Sequence, residues 1–321
     1  MQSDPAARDG LGPVSDREDT RASAAARWPP IARFVRAEAA LGARAAARGP
    51  LAAGLYEFLR FGVKQGWACL FGALMLGLLI ATHFAYPAHA PLARYDFLFL
   101  AAVAIQAAML AGGLETRDEA VVILAFHVVG TVMEIHKTAI GSWIYPEPSL
   151  FRIGGVPLFT GFMYAAVGSY LARVWRLFDF RFTRHPSLVA LSLLSVAIYA
   201  NFLLNDRFPD VRIGLIAAAA LLFGRTTIRF KVWRVHRAMP LPLGLVLVSL
   251  FIWFAENIGT ATGTWLYPGQ RIAWSMVPLS KLASWALLMI LSYTLVAWVN
   301  GIAGPDGEPI DDGAIVPSHA C

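Results

Sequence analysis

The sequence predicts an all-α integral membrane protein of about eight transmembrane helices, arranged as two parallel four-helix repeats. Three observations carry this prediction. First, 57% of the 321 residues are hydrophobic and 15% are charged, with a mean hydropathy of +0.57. A soluble domain carries about 25% charged residues, so too little polar surface is present to cover a water-soluble fold. Second, the apolar residues fall into runs of the length that crosses a hydrocarbon core. Third, one block of the sequence occurs twice. The two cysteines, Cys69 in an apolar run and the final Cys321, form no CxxC pair. That excludes a disulfide scaffold and a thiolate metal site, and neither metal nor cofactor is expected.

Residues 1–64 form a basic head, with ten Lys/Arg against seven acids. It has no apolar h-region and is not a secretory signal peptide. Up to about Pro30 its composition predicts disorder. From Leu51 to Val63, Leu55, Phe58 and Leu59 fall on one helical face, as in an interfacial helix leading into a membrane.

The apolar runs are Gly66–Phe84, Tyr95–Leu114, Ala120–Ile140, Val156–Trp175, Leu188–Leu204, Val211–Phe223, Leu241–Ala261 and Met276–Val299. The sixth is short for a span of about 20 residues. The connection from the fourth to the fifth run is read as carrying Arg173, at the end of the fourth run, with Arg176, Arg181 and Arg184, and that from the sixth to the seventh carries Arg225, Arg229, Lys231, Arg234 and Arg237. The excess of Lys/Arg puts these connections, the head and both termini on the cytoplasmic side. The expected domains are a head (1–64), a first repeat (65–187), a second repeat (188–300) and an acidic tail (301–321).

The repeated block runs Glu134-Ile-His-Lys-Thr-Ala-Ile-Gly-Ser-Trp-Ile-Tyr-Pro146 and Glu256-Asn-Ile-Gly-Thr-Ala-Thr-Gly-Thr-Trp-Leu-Tyr-Pro268, with seven of thirteen positions identical. Val-Pro-Leu follows each copy, at 156–158 and 277–279. The offset of about 122 residues contains four runs, an even number, so both copies have the same orientation in the bilayer. Gly141 and Gly263 sit where a left-handed cap is needed. Trp143, Tyr145, Trp265 and Tyr267 suit either an interfacial aromatic belt or the wall of a pocket.

Glu134 and Glu256 lie about two turns before the helix exits. A carboxylate at such a depth costs about 2.5–3.5 kcal/mol on insertion scales and faces the bundle interior with a partner. Lys137 shares a face with Glu134, and Lys281 is placed to reach Glu256. His127 lies on the Glu134 stripe at helical spacing, and Asn257 lies beside Glu256. The four charges allow two readings: salt bridges clamping the halves together, or a substrate or proton site. Phosphate-loop, metalloprotease and nucleophile-elbow motifs are absent. The basic connections read as topology determinants and lipid contacts rather than a nucleic-acid surface.

Two resemblances follow from these residues. The blocks Glu134-x-x-Lys137-Thr-Ala-x-Gly-Ser-Trp-x-Tyr-Pro146, Ala200-Asn201-Phe202, Phe251-Ile-Trp-Phe-Ala-Glu-Asn-x-Gly-Thr260 and Trp265-x-Tyr-Pro268-x-Gln270, then Trp274, Val277, Lys281, Ser284 and Trp285, resemble an uncharacterised bacterial multi-pass family, domain of unknown function 817, over about residues 55–300. That implies a multi-pass protein of the bacterial cytoplasmic (inner) membrane. More distantly, Glu134, Gly141, Trp143, Tyr145, Pro157 and Glu256, Gly263, Trp265, Tyr267, Pro278 are similar to the pattern of membrane carotenoid cyclases and hydratases. Those families add a proton across an isoprenoid double bond. The Pro-x-Glu-Glu motif of the cyclases is absent, and Lys281 stands where an acid is expected.

The function expected from this combination is an intramembrane acid–base enzyme acting on a lipid-soluble isoprenoid or polyene: a cyclase, hydratase or isomerase. Glu134, Glu256, Lys137 and Lys281 would be catalytic; His127, Gly141, Trp143, Tyr145, Asn257, Gly263, Trp265 and Tyr267 would bind substrate. The alternatives are a small-solute transporter with a midplane Glu/Lys site and a non-catalytic assembly protein. The expected partners are membrane lipids and a lipid-soluble small molecule.

Overall fold

The computed structural model describes residues 29–308. The disorder expected before Pro30 and most of the acidic tail lie outside the described residues. The fold is mostly helical. Its helices are α1 (Pro29–Ala47), α2 (Pro50–Ala68), α3 (Leu70–Ala85), α4 (Arg94–Ala111), α5 (Arg117–Ala139), α6 (Phe159–Phe178), α7 (Leu188–Leu204), α8 (Arg212–Phe223), α9 (Leu241–Ala261) and α10 (Ser280–Asn300). Each predicted apolar run contains a helix; the first is broken at Cys69, the fourth begins in a short strand at Val156–Pro157, and the fifth and seventh have the predicted bounds. Short strands fill the connections: β1 (Arg152–Ile153), β2 (Val156–Pro157), β3 (Arg181–Thr183), β4 (Thr227–Lys231) and β5 (His236–Pro240).

Among the described residues, four helices or helix segments are long and apolar enough to cross a membrane: Arg94–Ala111, Glu119–Ala139, Leu241–Ala261 and Ser280–Asn300. The pair α2 and α3, broken at Cys69, adds a fifth if it forms one span. α7 and α8 are apolar but short, with 17 and 12 residues. α8 stops where the chain leaves Gly224 and enters β4.

The chain divides into two compact units, Met1–Phe61 and Gly62–Cys321. In the first, Glu38 on α1 accepts the Tyr56 hydroxyl and pairs with Arg60 at 2.9 Å. Leu51, Leu55, Phe58 and Leu59 of α2 remain exposed, the face that the sequence picked out as interfacial.

In the second unit, α6 is the central helix, with contacts to α3, α4, α5 and α10. It buries twelve of its twenty residues. Its Arg173 is fully buried, pairs with Glu115 at 3.0 Å and donates to the Trp67 carbonyl at 3.1 Å. This corrects the assignment of Arg173 to a basic cytoplasmic connection: the Glu115 carboxylate and the Trp67 carbonyl hold it inside. By contrast, large apolar side chains point outward from several helices, including Val121, Leu124 and Val128 on α5 and Phe251 and Phe254 on α9. Such a polar-in, apolar-out arrangement fits lipid contact.

The two ends of this unit differ. At one end β3, which follows α6, pairs antiparallel with β4, and β4 pairs with β5. The two basic connections are therefore one sheet. At the other end the two copies of the repeated block meet. Ile144 and Leu266 exchange backbone hydrogen bonds in both directions, each at 3.0 Å.

Candidate functional site

The site begins with the way the two block-bearing helices stop. α5 and α9 end in the same pair of backbone bonds. Gly141 N–H donates to Thr138 and Ser142 N–H to Lys137; Gly263 N–H donates to Thr260 and Thr264 N–H to Gly259. Gly141 and Gly263 have φ of +74° and +65°, a region that costs other residues about 1 kcal/mol or more. These caps turn each chain back over its own helix. Trp143 and Tyr145 consequently hang beside Glu134, and Tyr267 beside Glu256.

Glu134 is 3% exposed. Its Oε2 accepts Trp143 Nε1–H at 2.7 Å and Tyr145 O–H at 2.5 Å, and its Oε1 accepts Tyr164 O–H at 2.6 Å. Glu256, 4% exposed, accepts Tyr267 O–H at Oε1 and Trp285 Nε1–H at 2.6 Å at Oε2. Hydrogen bonds to charged groups contribute about 1.5–3 kcal/mol each. Two or three of them offset the cost of about 2.5–3.5 kcal/mol for placing a carboxylate at membrane depth. The aromatic residues are therefore hydrogen-bond donors to the carboxyls, and Trp143 and Tyr145 are buried rather than displayed in a belt.

The expected Glu–Lys pairs do not form. Among the described residues no ion pair joins either lysine to either glutamate. Lys137 turns away from Glu134, donates to Asn205 Oδ1 at 2.7 Å and lies 4.8 Å from the Phe202 ring centre. Lys281 lies over the rings of Tyr267 at 4.4 Å and Trp143 at 5.7 Å. The indole and phenol donors already occupy the carboxyl oxygens, and the four-carbon lysine stems reach other partners.

The remaining expected residues divide. Trp265 stands at the mouth between the blocks but gives no hydrogen bond to Glu256; a Cβ on Gly259 would lie 2.0 Å from its ring. Asn257 is a bracket for the connection to α10: it donates to the Trp253 carbonyl at 2.8 Å and accepts Val277 N–H at 2.9 Å. His127 lies two turns from Glu134 and packs against Phe162, with ring centres 4.7 Å apart. It is not brought to the carboxyls.

Beneath the carboxyls, a cavity of about 40 Å³ lies among α5, α6, α7, α9 and α10, with Gly130, Met133, Tyr164, Ile252 and Trp285 on its wall. Gly130 makes room for the Tyr164 ring: a Cβ there would come within 2.5 Å of it. The cavity therefore touches both glutamates through their donors. Among the described residues, no group of three or more His, Cys, Asp or Glu could hold a metal ion.

Sequence reasoning missed Tyr164 and passed over the role of Trp285. Their signal was present: they are separated by the same 121 residues that separate the two Val-Pro-Leu segments. It also missed Asp96, fully buried at the start of α4, which accepts Leu150 N–H at 2.9 Å, Phe151 N–H at 2.9 Å and Ser149 O–H at 2.9 Å. This carboxylate ties down the loop after the first block. Arg94 beside it pairs with Glu147 at 2.8 Å.

A protein of Bacillus subtilis (strain 168), the uncharacterized protein YoaT, is 41% identical over 241 residues, covering 75% of this chain and 90% of the relative. No solved structure matches. The model of a family described as protein of unknown function (DUF817) matches residues 57–293. That stretch contains both blocks, both carboxyls and all their donors, and the chain belongs to the DUF817 family.

Proposed function

We propose that the protein is an intramembrane acid–base enzyme acting on a lipid-soluble isoprenoid or polyene, with Glu134 and Glu256 as its proton-transferring carboxyls. One observation carries this reading. Two buried carboxyls sit in a wall of Trp and Tyr, and that wall already offers ring faces to a cation, Lys281. Protonation of an alkene needs these two elements. The carboxyl proton forms a new C–H bond with the π pair, leaving a cationic carbon that aromatic faces stabilise by about 0.5–2 kcal/mol. Loss of a neighbouring proton to the carboxylate completes an isomerisation; ring closure by a second double bond moves the cation to a new carbon, which loses its neighbouring proton to the carboxylate to complete a cyclisation; and water adds to the cation and gives its extra proton to the carboxylate to complete a hydration. The distant likeness to carotenoid cyclases and hydratases points the same way.

The architecture belongs to the same proposal. Eight helices, α3 to α10, form two repeats of four, related by an axis along the membrane normal. The two termini and the β3–β5 sheet face the cytoplasm of a bacterial inner membrane. The reciprocal pairing of Ile144 with Leu266 supports this, because equivalent residues that hydrogen-bond to each other lie about a local twofold axis. Reporter fusions after Pro146 and after Pro268 should both read extracytoplasmic; opposite sides would end the parallel-repeat reading.

The function is tested by mass spectrometry of total lipid from cells with the wild-type protein, Glu134→Gln or Glu256→Gln. A lipid-soluble species should appear or disappear with the wild type alone. Identical profiles with folded variants would falsify the enzyme reading. Transport is the second reading, favoured by a cation, Lys281, that touches rings of both blocks. Solute uptake into proteoliposomes that is lost in either Glu→Gln variant would decide for it.

A further inference from the structure

α1 and most of α2 make up the described part of the first unit, joined by a turn at Arg48 and Gly49. One clasp holds the two helices together. Glu38 accepts the Tyr56 hydroxyl and pairs with Arg60, and Gly42 lies against the Tyr56 ring, where a Cβ would come within 2.9 Å. Away from this clasp most of α1 is exposed.

Two features share the exposed part of α1. Phe34 and Leu41, 58% and 56% exposed, stand two turns apart on one face. Arg33, Arg36 and Arg44 fall together on a neighbouring arc at helical spacing, and Arg48 follows at the turn; all four are exposed. Among the described residues none of the four pairs with an acid. The acids of this stretch are Glu38, which the clasp already takes, and Glu57 on α2. The surface of α1 is therefore basic as well as apolar.

That combination selects its partner. Large apolar side chains beside a row of bases suit the boundary between lipid head groups and acyl chains. Phe34 and Leu41 leave water there, while the arginine stems snorkel and keep their guanidinium groups at the level of the phosphates. A second copy of the chain would bring two rows of bases together, and like charge opposes that contact. A membrane surface is within reach of the chain, because α2 runs through Cys69 into the apolar α3, and the pair is long and apolar enough for a span.

We propose that α1 lies in the plane of the membrane surface and binds anionic phospholipid. Phe34 and Leu41 are seated among the acyl chains, and Arg33, Arg36, Arg44 and Arg48 contact the head-group phosphates. Each base adds about fivefold to partitioning onto an anionic surface, and the apolar side chains supply the second of the two signals that stable anchoring takes.

The test uses the full-length protein with Cys69→Ser and Cys321→Ser, and Ala37→Cys to carry an environment-sensitive fluorophore. Ala37 is exposed and one turn from Leu41. The labelled protein is placed in nanodiscs of phosphatidylcholine alone and of an equal mixture with phosphatidylglycerol. Phosphatidylglycerol should shift the emission to the blue and lower quenching by acrylamide, a neutral quencher, about threefold or more. High salt should weaken the response. Replacing the four arginines by Gln should abolish it, and replacing them by Lys should keep it. Phe34→Ser with Leu41→Ser should remove the blue shift. Melting temperatures in detergent should be the same for all variants, which separates lost lipid binding from lost fold. Equal quenching in the two kinds of disc overturns the proposal, since the face is then bare or covered by something other than anionic lipid. A phosphatidylglycerol response that survives the four Gln substitutions overturns it as well.

Discussion

The two copies of the block start from the same residues and finish with different chemistry. In the first, Trp143, Tyr145 and Tyr164 all donate to Glu134. In the second, Tyr267 and Trp285 donate to Glu256, and Trp265 does not. The difference traces to one position. Lys137 in the first copy corresponds to Gly259 in the second. The glycine leaves a bare backbone surface, and the Trp265 indole lies on it. In the first copy that position carries a lysine, whose side chain runs to Asn205, and the Trp143 indole donates to the carboxyl. A second exchange moves the cation: Thr160 in the first half stands where Lys281 stands in the second. Each block carries one carboxyl, and these two positions differ between the blocks.

This comparison can be broken most severely at the carboxyls. Glu134→Ala strands three donors, two of them buried, and Glu256→Ala strands two half-buried ones. At about 1 kcal/mol or more per stranded donor, the first should lose about 3 kcal/mol or more of stability and the second about 2. Unfolding in detergent measures both; equal losses would show that the copies are energetically the same. A smaller effect is expected at the position that divides them. Gly259→Ala puts a methyl group 2.0 Å from the Trp265 ring and should destabilise by about 1–2 kcal/mol through overpacking. A neutral result there would remove the glycine as the cause.

The smallest effect lies in the loop between α7 and α8. Burial pushes the Asp210 carboxyl up, but hydrogen bonds from Asn201 and the Arg212 backbone and the Arg212 charge outweigh it and hold the group below the usual carboxylate range. A lowered folded pKa means stability that is present above the unfolded value of about 3.9 and is lost as pH falls through the folded value. The melting temperature should drop on acidification below that range, and Asp210→Asn should flatten the slope. An unchanged slope in the variant would remove Asp210 from the acid response.

Several parts of this arrangement were legible in the residues. A glycine just after an apolar helix calls for a left-handed cap, and both caps formed. A glutamate inside an apolar run has to face inward, and both do. The lysines were not legible, because spacing on a helix shows what a long flexible side chain can reach and not which partner is free. Nor was the direction of Trp143 and Tyr145. An amphipathic ring suits a membrane interface and a buried carboxyl equally well, and the turn after Gly141 chose between them. Arg173 read as one more base of a cytoplasmic connection, because its partner Glu115 lies 58 residues away.

The sequence by itself determined the class of environment, the helices and the duplicated carboxyl-and-aromatic block, because apolar run length, periodicity and repetition are local properties of a chain. Only the tertiary structure decided which donors satisfy which carboxyl, that the basic connections form one sheet, and that the lysines stand apart from the glutamates. Those outcomes depend on competition among side chains distant in sequence for the same few buried polar atoms. That competition is settled only when the helices are packed.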